Sequence, residues 1–123
     1  MKKLLLLIVA LYIQINAQTQ EYFLSDPALS PDAKTIVFSY EGDLWTVGSN
    51  GGNALRLTAM DGNETRPVFS PDGNWIAFTS NQDGNNNVYV IPVQGGVIKQ
   101  LTFHSSNDLV ESWSWDSKYI YFA

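Results

Sequence analysis

Two copies of one phrase, Pro27-Ala28-Leu29-Ser30-Pro31-Asp32 and Pro67-Val68-Phe69-Ser70-Pro71-Asp72, are followed at equal offsets by Ile36-Val37-Phe38 and Ile76-Ala77-Phe78. A looser third copy, Glu111-Ser112-Trp113-Ser114-Trp115-Asp116, precedes Ile120-Tyr121-Phe122, so successive copies begin 40 and 44 residues apart. Repeats of that length fit four-stranded propeller blades. Such a unit buries its apolar faces only against neighbours, and propellers close with about 4–8 blades. The expected fold is all-β: a propeller fragment of two blades, 27–66 and 67–110, and the first half of a third, 111–123. On this reading the chain is the opening of something longer.

Ahead of the repeats, Lys2 and Lys3, an apolar run over 4–13 and the exit Ile15-Asn16-Ala17 follow the order of a signal peptide. The run is shorter than the roughly 20 residues of a bilayer anchor, and no second one follows. Residues 1–17 are therefore expected to leave on export to the periplasm or the exterior, with 18–26 a lead-in to the first blade and no membrane span remaining. Without Lys2 and Lys3, five basic residues face twelve acidic ones, a formal charge of −7. Lys34, Arg56, Arg66, Lys99 and Lys118 are scattered, which argues against nucleic acid, whose phosphates need clustered cations. Cysteine is absent, so no disulfide framework is available and stability must come from packing between repeats.

Aligning the first two copies confines their length difference to 81–87, where the first copy has only Glu41-Gly42-Asp43. Strands are expected near 28–30, 35–40, 44–47 and 54–58, and near 68–70, 75–80, 88–93 and 97–102. Apolar residues occupy both alternating sets, as in sheets stacked between two others. In the connecting phrase, Pro31 and Pro71 preset a turn, Asp32, Asp72 and Asp116 can accept from backbone amides, and Gly73 can take positive φ. Ala33 and Ser117 stand where Gly73 does. Either the turn needs no positive φ, or those two copies carry about 1 kcal/mol of strain.

Ser-Pro-Asp-Gly, Ile-Ala-Phe, Val-Tyr-Val, Gly-Gly and Leu-Thr in the second copy (70–73, 76–78, 88–90, 95–96, 101–102) resemble the WD-repeat-like propeller of TolB and of the N-terminal part of tricorn-type serine peptidases. The opening 27–32 with 38–45 behind it, and 100–108, resemble exported tricorn-like peptidases. That resemblance implies a non-catalytic module governing substrate access or protein and peptide interaction, in a longer chain whose serine nucleophile lies elsewhere. The alternative is a TolB-like periplasmic scaffold without enzymatic activity. The partners implied are a peptide or protein and the remaining blades of the same chain. No cofactor, metal or catalytic residue is expected within these residues.

Several side chains are candidates for contact. His104 is the only histidine, next to Ser105 and near Asp108, but no Gly-x-Ser-x-Gly elbow occurs, so it reads as a loop or capping residue. Asp83, Asn85 and Asn87 begin like a calcium loop, yet Val88 takes the glycine position and Gln94 the closing acid, leaving a solvated hairpin tip. Asn63-Glu64-Thr65 is a formal glycosylation sequon. Asp61, Glu64, Asp108 and Glu111 could gather as an acidic rim favouring basic peptides. Trp45, Trp75 and Trp113 align with Tyr89, Tyr119 and Phe69, which marks them as packing positions. Trp115, standing where the other copies have Pro31 and Pro71, is the first choice for a ligand-facing aromatic.

Overall fold

The computed structural model of the chain describes residues 23–123, all strands, turns and loops without a helix. The expected signal peptide over 1–17 and most of the expected lead-in over 18–26 lie outside the described residues. Sheet one is formed by β1 (Ser25–Leu29), β2 (Thr35–Tyr40), β3 (Asp43–Gly48) and β4 (Leu55–Arg56), antiparallel and in chain order. Sheet two repeats it with β5 (Glu64–Phe69), β6 (Trp75–Ser80), β7 (Asn87–Pro92) and β8 (Lys99–Gln100), and β9 (Val110–Trp113) pairs with β10 (Ile120–Phe122) as the start of a third. β1 lies against β5 and β5 against β9, so the first strand of each sheet lines the inside of an arc.

Alternation along the central strands sends side chains to opposite neighbours. Ile76 and Phe78 of β6, with Tyr89 and Ile91 of β7, face sheet one and bury Val37 and Leu44. Ala77, Val88 and Val90 face the other way and bury Val110, with Trp113 and Ile120 at the margin. The middle sheet therefore has a neighbour on each face. Phe78 and Tyr89 stack with ring centroids 5.7 Å apart, and the Trp113 indole donates to Val68 O at 3.0 Å, stitching sheet two to sheet three.

The outer strands are shorter than the residue pattern suggests. β4 and β8 pair over two residues each, after which Leu57 N–H donates to Leu44 O and Leu101 N–H to Val88 O. Thr58 and Thr102 then accept from Leu44 N–H and Val88 N–H through their hydroxyls. The inner strands are longer than expected. β1 and β5 begin ahead of Pro27 and Pro67 and cross a bulge at Asp26 (φ 50°) and Arg66 (φ 52°). Proline, which cannot donate to a ladder, is tolerated on these end strands.

The recurrent turn is built identically three times. Ser70 Oγ donates to Asp72 Oδ1 at 2.6 Å, Asn74 N–H donates to the same oxygen and Trp75 N–H to Ser70 Oγ. Ser30 with Asp32, and Ser114 with Asp116, repeat these bonds. The turn does require positive φ: Gly73 sits at 76°, Ala33 at 59° and Ser117 at 61°. The strain alternative is the one the structure adopts. An added Cβ at Gly73 would meet nothing within 4 Å, so Gly73→Ala isolates the conformational term and should lower stability by about 1 kcal/mol in denaturant unfolding. Gly62 is the opposite case: its backbone is not left-handed, but a Cβ would lie 2.5 Å from Gln82 N and 2.8 Å from Gln82 Cα. Gly62→Ala should cost about 1–3 kcal/mol by overpacking, read in the same assay.

Candidate functional site

Three regions carry polar side chains with a task to perform: the turn face, the seams between sheets and the inner strands. On the turn face, hydrogen bonds from Ser30 and Lys34 N–H hold the Asp32 carboxyl below its ordinary range, and Ser70 and Asn74 do the same for Asp72. The contribution is present above the normal carboxylate pKa and is lost as pH falls through the depressed one. Pro31 and Pro71 cap these turns in solvent. Trp115, in the equivalent place, is 89% exposed. The middle sheet is covered on both faces and its Pro71 is still exposed, so this position stays open when neighbours are in place.

At the first seam, Glu64 is 1% exposed. It arrives there because the bulge at Arg66 turns the start of β5 inward. Thr58 Oγ1 donates to Oε2 at 2.9 Å and Ser80 Oγ to Oε1 at 3.2 Å. Its backbone is held as well, with N–H donating to Gly42 O and C=O accepting from Ser39 Oγ. Burial pushes the Glu64 carboxyl up to about 7; the Thr58 and Ser80 bonds oppose this, while the Asp43 carboxylate reinforces it. Asp43 pairs with Arg56 through one oxygen.

The second seam reuses these positions with other residues. Asp108 replaces Glu64 at 4% exposed, Asn87 replaces Asp43, and Thr102 Oγ1 donates to Asn87 Oδ1 at 3.3 Å. Exposed His104 brings Nδ1 to 3.2 Å from Asp108 Oδ2. No serine hydroxyl hydrogen-bonds the His104 ring among the described residues. The extra length over 81–87 is spent here as well: Asn85 Nδ2 donates to His104 O and Ser106 O, and Asn86 N–H to Asn107 Oδ1. Residues 81–84 are exposed yet tied back, Asn81 Oδ1 accepting from Asn63 N–H and Asp83 Oδ2 from the Tyr89 hydroxyl, while Asn85, Asn86 and Asn87 are anchored to the connection between β8 and β9.

Two expectations are corrected by this geometry. The acidic rim does not assemble, because Glu64 and Asp108 are consumed inside seams and only Asp61 and Glu111 remain exposed. Their burial removes both from reach of a peptide. The hairpin tip is shorter than its Asn/Asp/Gly composition indicates, since its amides bond carbonyls of the next connection. The sequence reading also missed Arg66, whose guanidinium bonds Val110 O and pairs with Glu111 at 2.8 Å across the inner strands. The residue before a proline at each inner strand was the available signal.

Between sheets two and three lies an apolar groove of about 750 Å³ lined by Trp75, Val88, Val90, Trp113, Ile120 and Phe122. At the seam one repeat earlier, Tyr89 and Ile91, with Val93 and Ile98, occupy the corresponding volume.

The profile of the tricorn protease N-terminal beta propeller domain matches residues 21–123. Among curated proteins, the chain is 37% identical over 89 residues to tricorn protease homolog 1 of Streptomyces coelicolor, covering 72% of this chain and 8% of the relative. It is 40% identical over 94 residues to putative tricorn protease homolog 2 of the same organism, again 8% of that protein. Among solved structures, a putative TolB from Agrobacterium tumefaciens superposes with a TM-score of 0.70 at 23% identity, over 86% of this chain and 39% of that one. The tricorn protease gives 0.68 at 22% identity, over 80% of this chain and 10% of that one.

Proposed function

The chain belongs to the tricorn protease N-terminal beta propeller family, and from that premise we propose that it is a non-catalytic module presenting peptides to a serine peptidase domain carried elsewhere on a longer polypeptide. The match to tricorn homologues over 8% of their length supports a role as one part of such a protein. The observation that carries a contact surface is Trp115, held in solvent by a turn that the flanking Ser114 and Asp116 lock. An indole offers a large apolar face and a donor at low entropic cost, which suits a passing peptide. The groove beside β10 is read as the seat of the third and fourth strands of the third blade, supplied by the rest of the chain.

A TolB-like scaffold is the second reading, favoured by a TM-score of 0.70 at 27% identity to TolB from Acinetobacter baumannii over 80% of this chain. In both readings residues 1–17 act as an export leader. No helix among the described residues is long and apolar enough to cross a membrane.

In the full chain, Trp115→Ala should reduce hydrolysis of a long unstructured peptide several-fold while leaving turnover of a short fluorogenic peptide unchanged. Unfolding should stay within about 0.5 kcal/mol of the parent, as for exposed positions generally. Equal effects on both substrates, or none on either, would remove Trp115 from substrate presentation. A full chain inactive on both would favour the scaffold. N-terminal sequencing of the exported protein should begin at Gln18, whereas an intact Met1 would refute the leader.

A further inference from the structure

The first seam contains more acid than its geometry can hold in ionised form. Asp43 from the start of β3 and Glu64 from the start of β5 are both buried, at 6% and 1% exposure, and the Glu64 N–H bonds at 2.8 Å to the carbonyl of Gly42, the residue before Asp43. Thr58 Oγ1 fixes the arrangement, accepting from Leu44 N–H at 2.8 Å and donating to Glu64 Oε2 at 2.9 Å. Asp43 Oδ2 meets Arg56, but Asp43 Oδ1 is buried with no hydrogen-bond donor among the described residues. A buried carboxylate oxygen left without a donor is costly. The missing donor has an obvious source if the neighbouring Glu64 carboxyl keeps its proton, since two carboxyls that share a site cannot both ionise readily.

The other groups around the pair do not remove the need for that proton. β2 and β6 contribute Ser39 and Ser80, both neutral, and Ser80 donates to Glu64 Oε1, the oxygen facing away from Thr58. β4 contributes Arg56, the nearby cation, already engaged on the outer oxygen of Asp43. β7 contributes Tyr89, whose hydroxyl donates to Asp83 on the far side and whose ionisation is opposed by burial and by the Asp83 and Glu64 charges. The second seam meets the same need differently. There the Asp43 position is Asn87, a neutral amide, and Asp108 is the single acid; its Oδ2 is likewise buried with no hydrogen-bond partner among the described residues, but lies 3.2 Å from Nδ1 of exposed His104.

We propose that Asp43 and Glu64 share one proton across the seam between the first two blades, and that this proton is a structural element whose departure loosens that seam. The proton sits on Glu64 and is donated to Asp43 Oδ1. When it leaves, two carboxylates face each other out of water with one guanidinium between them and solvent. The sign follows from which state holds the proton more tightly. The folded seam does, so its stabilisation is complete below the ordinary carboxylate value of 4.5 and is lost as pH rises toward about 7.

Hydrogen exchange on the full chain reads this locally. Protection of the Leu44 amide, bonded to the Thr58 hydroxyl that donates to Glu64, and of the Glu64 amide, bonded across the seam to Gly42 O, should fall with rising pH by up to about tenfold per unit between about pH 5 and about pH 7, after correction for intrinsic exchange. In Glu64→Gln, whose amide donates without titrating, that dependence should vanish. The same slope in Glu64→Gln, or a flat profile in the parent, would overturn the proposal. If Glu64→Gln does not fold, the parent answers through the ¹³C shift of the Glu64 carboxyl, whose midpoint should lie well above the ordinary range and drop in Asp43→Asn. A midpoint in the ordinary range, or one that Asp43→Asn leaves in place, would also overturn it, the latter by showing that burial alone holds the proton.

Discussion

Every sheet of this chain is apolar on both faces, and that fixes everything else about it. Ile76 and Phe78 look toward one neighbour while Ala77 looks toward the other, and the same division separates Tyr89 and Ile91 from Val88 and Val90. No single blade can satisfy such a surface, because one face would always remain in water. Blades must therefore be stacked radially, and the connections between them become the places where polar groups are buried. The hydroxyls of Thr58 and Thr102 are a direct result, completing the ends of β3 and β7 where β4 and β8 have stopped pairing.

Much of this was legible in the residues. The period, the three Ser-x-Asp turns and the central strands follow from spacing and alternation, because those segments keep the strict period of two that packing on both faces enforces. The inner strands were read too short because a bulge before Pro27 and Pro67 breaks that alternation. With the period reset at Arg66, nothing in Asn63-Glu64-Thr65-Arg66 distinguishes a buried acid from a solvated loop. The same stretch, read as polar, produced the expectation of an acidic rim. Trp115 was visible for the converse reason: it breaks a pattern that Pro31 and Pro71 establish, and the fold keeps that position in solvent.

The two seams solve one problem with different chemistry. Each needs a polar plug where an outer strand ends and the chain crosses to the next inner strand. One uses two carboxyls, a guanidinium and three hydroxyls; the other uses an amide, one carboxyl, an imidazole and an inserted Asn-rich loop. The plugs occupy matched positions, yet their donors and acceptors are not interchangeable. A blade moved to the other's place would bring an acid or an amide to a partner unable to answer it, so the order of the repeats is written into their joints.

The prolines of the inner strands have a further effect. β1 and β5 end their sheets on the inside of the arc, where an open strand would offer a row of amides and carbonyls to any extended chain. Pro27 and Pro67 delete a donor from that row, the bulges at Asp26 and Arg66 twist it out of register, and the Arg66 guanidinium occupies Val110 O on the neighbouring inner strand. The inner edge is thus a poor template for main-chain pairing. An extended chain laid along it would find fewer main-chain partners in register than an ordinary sheet edge offers.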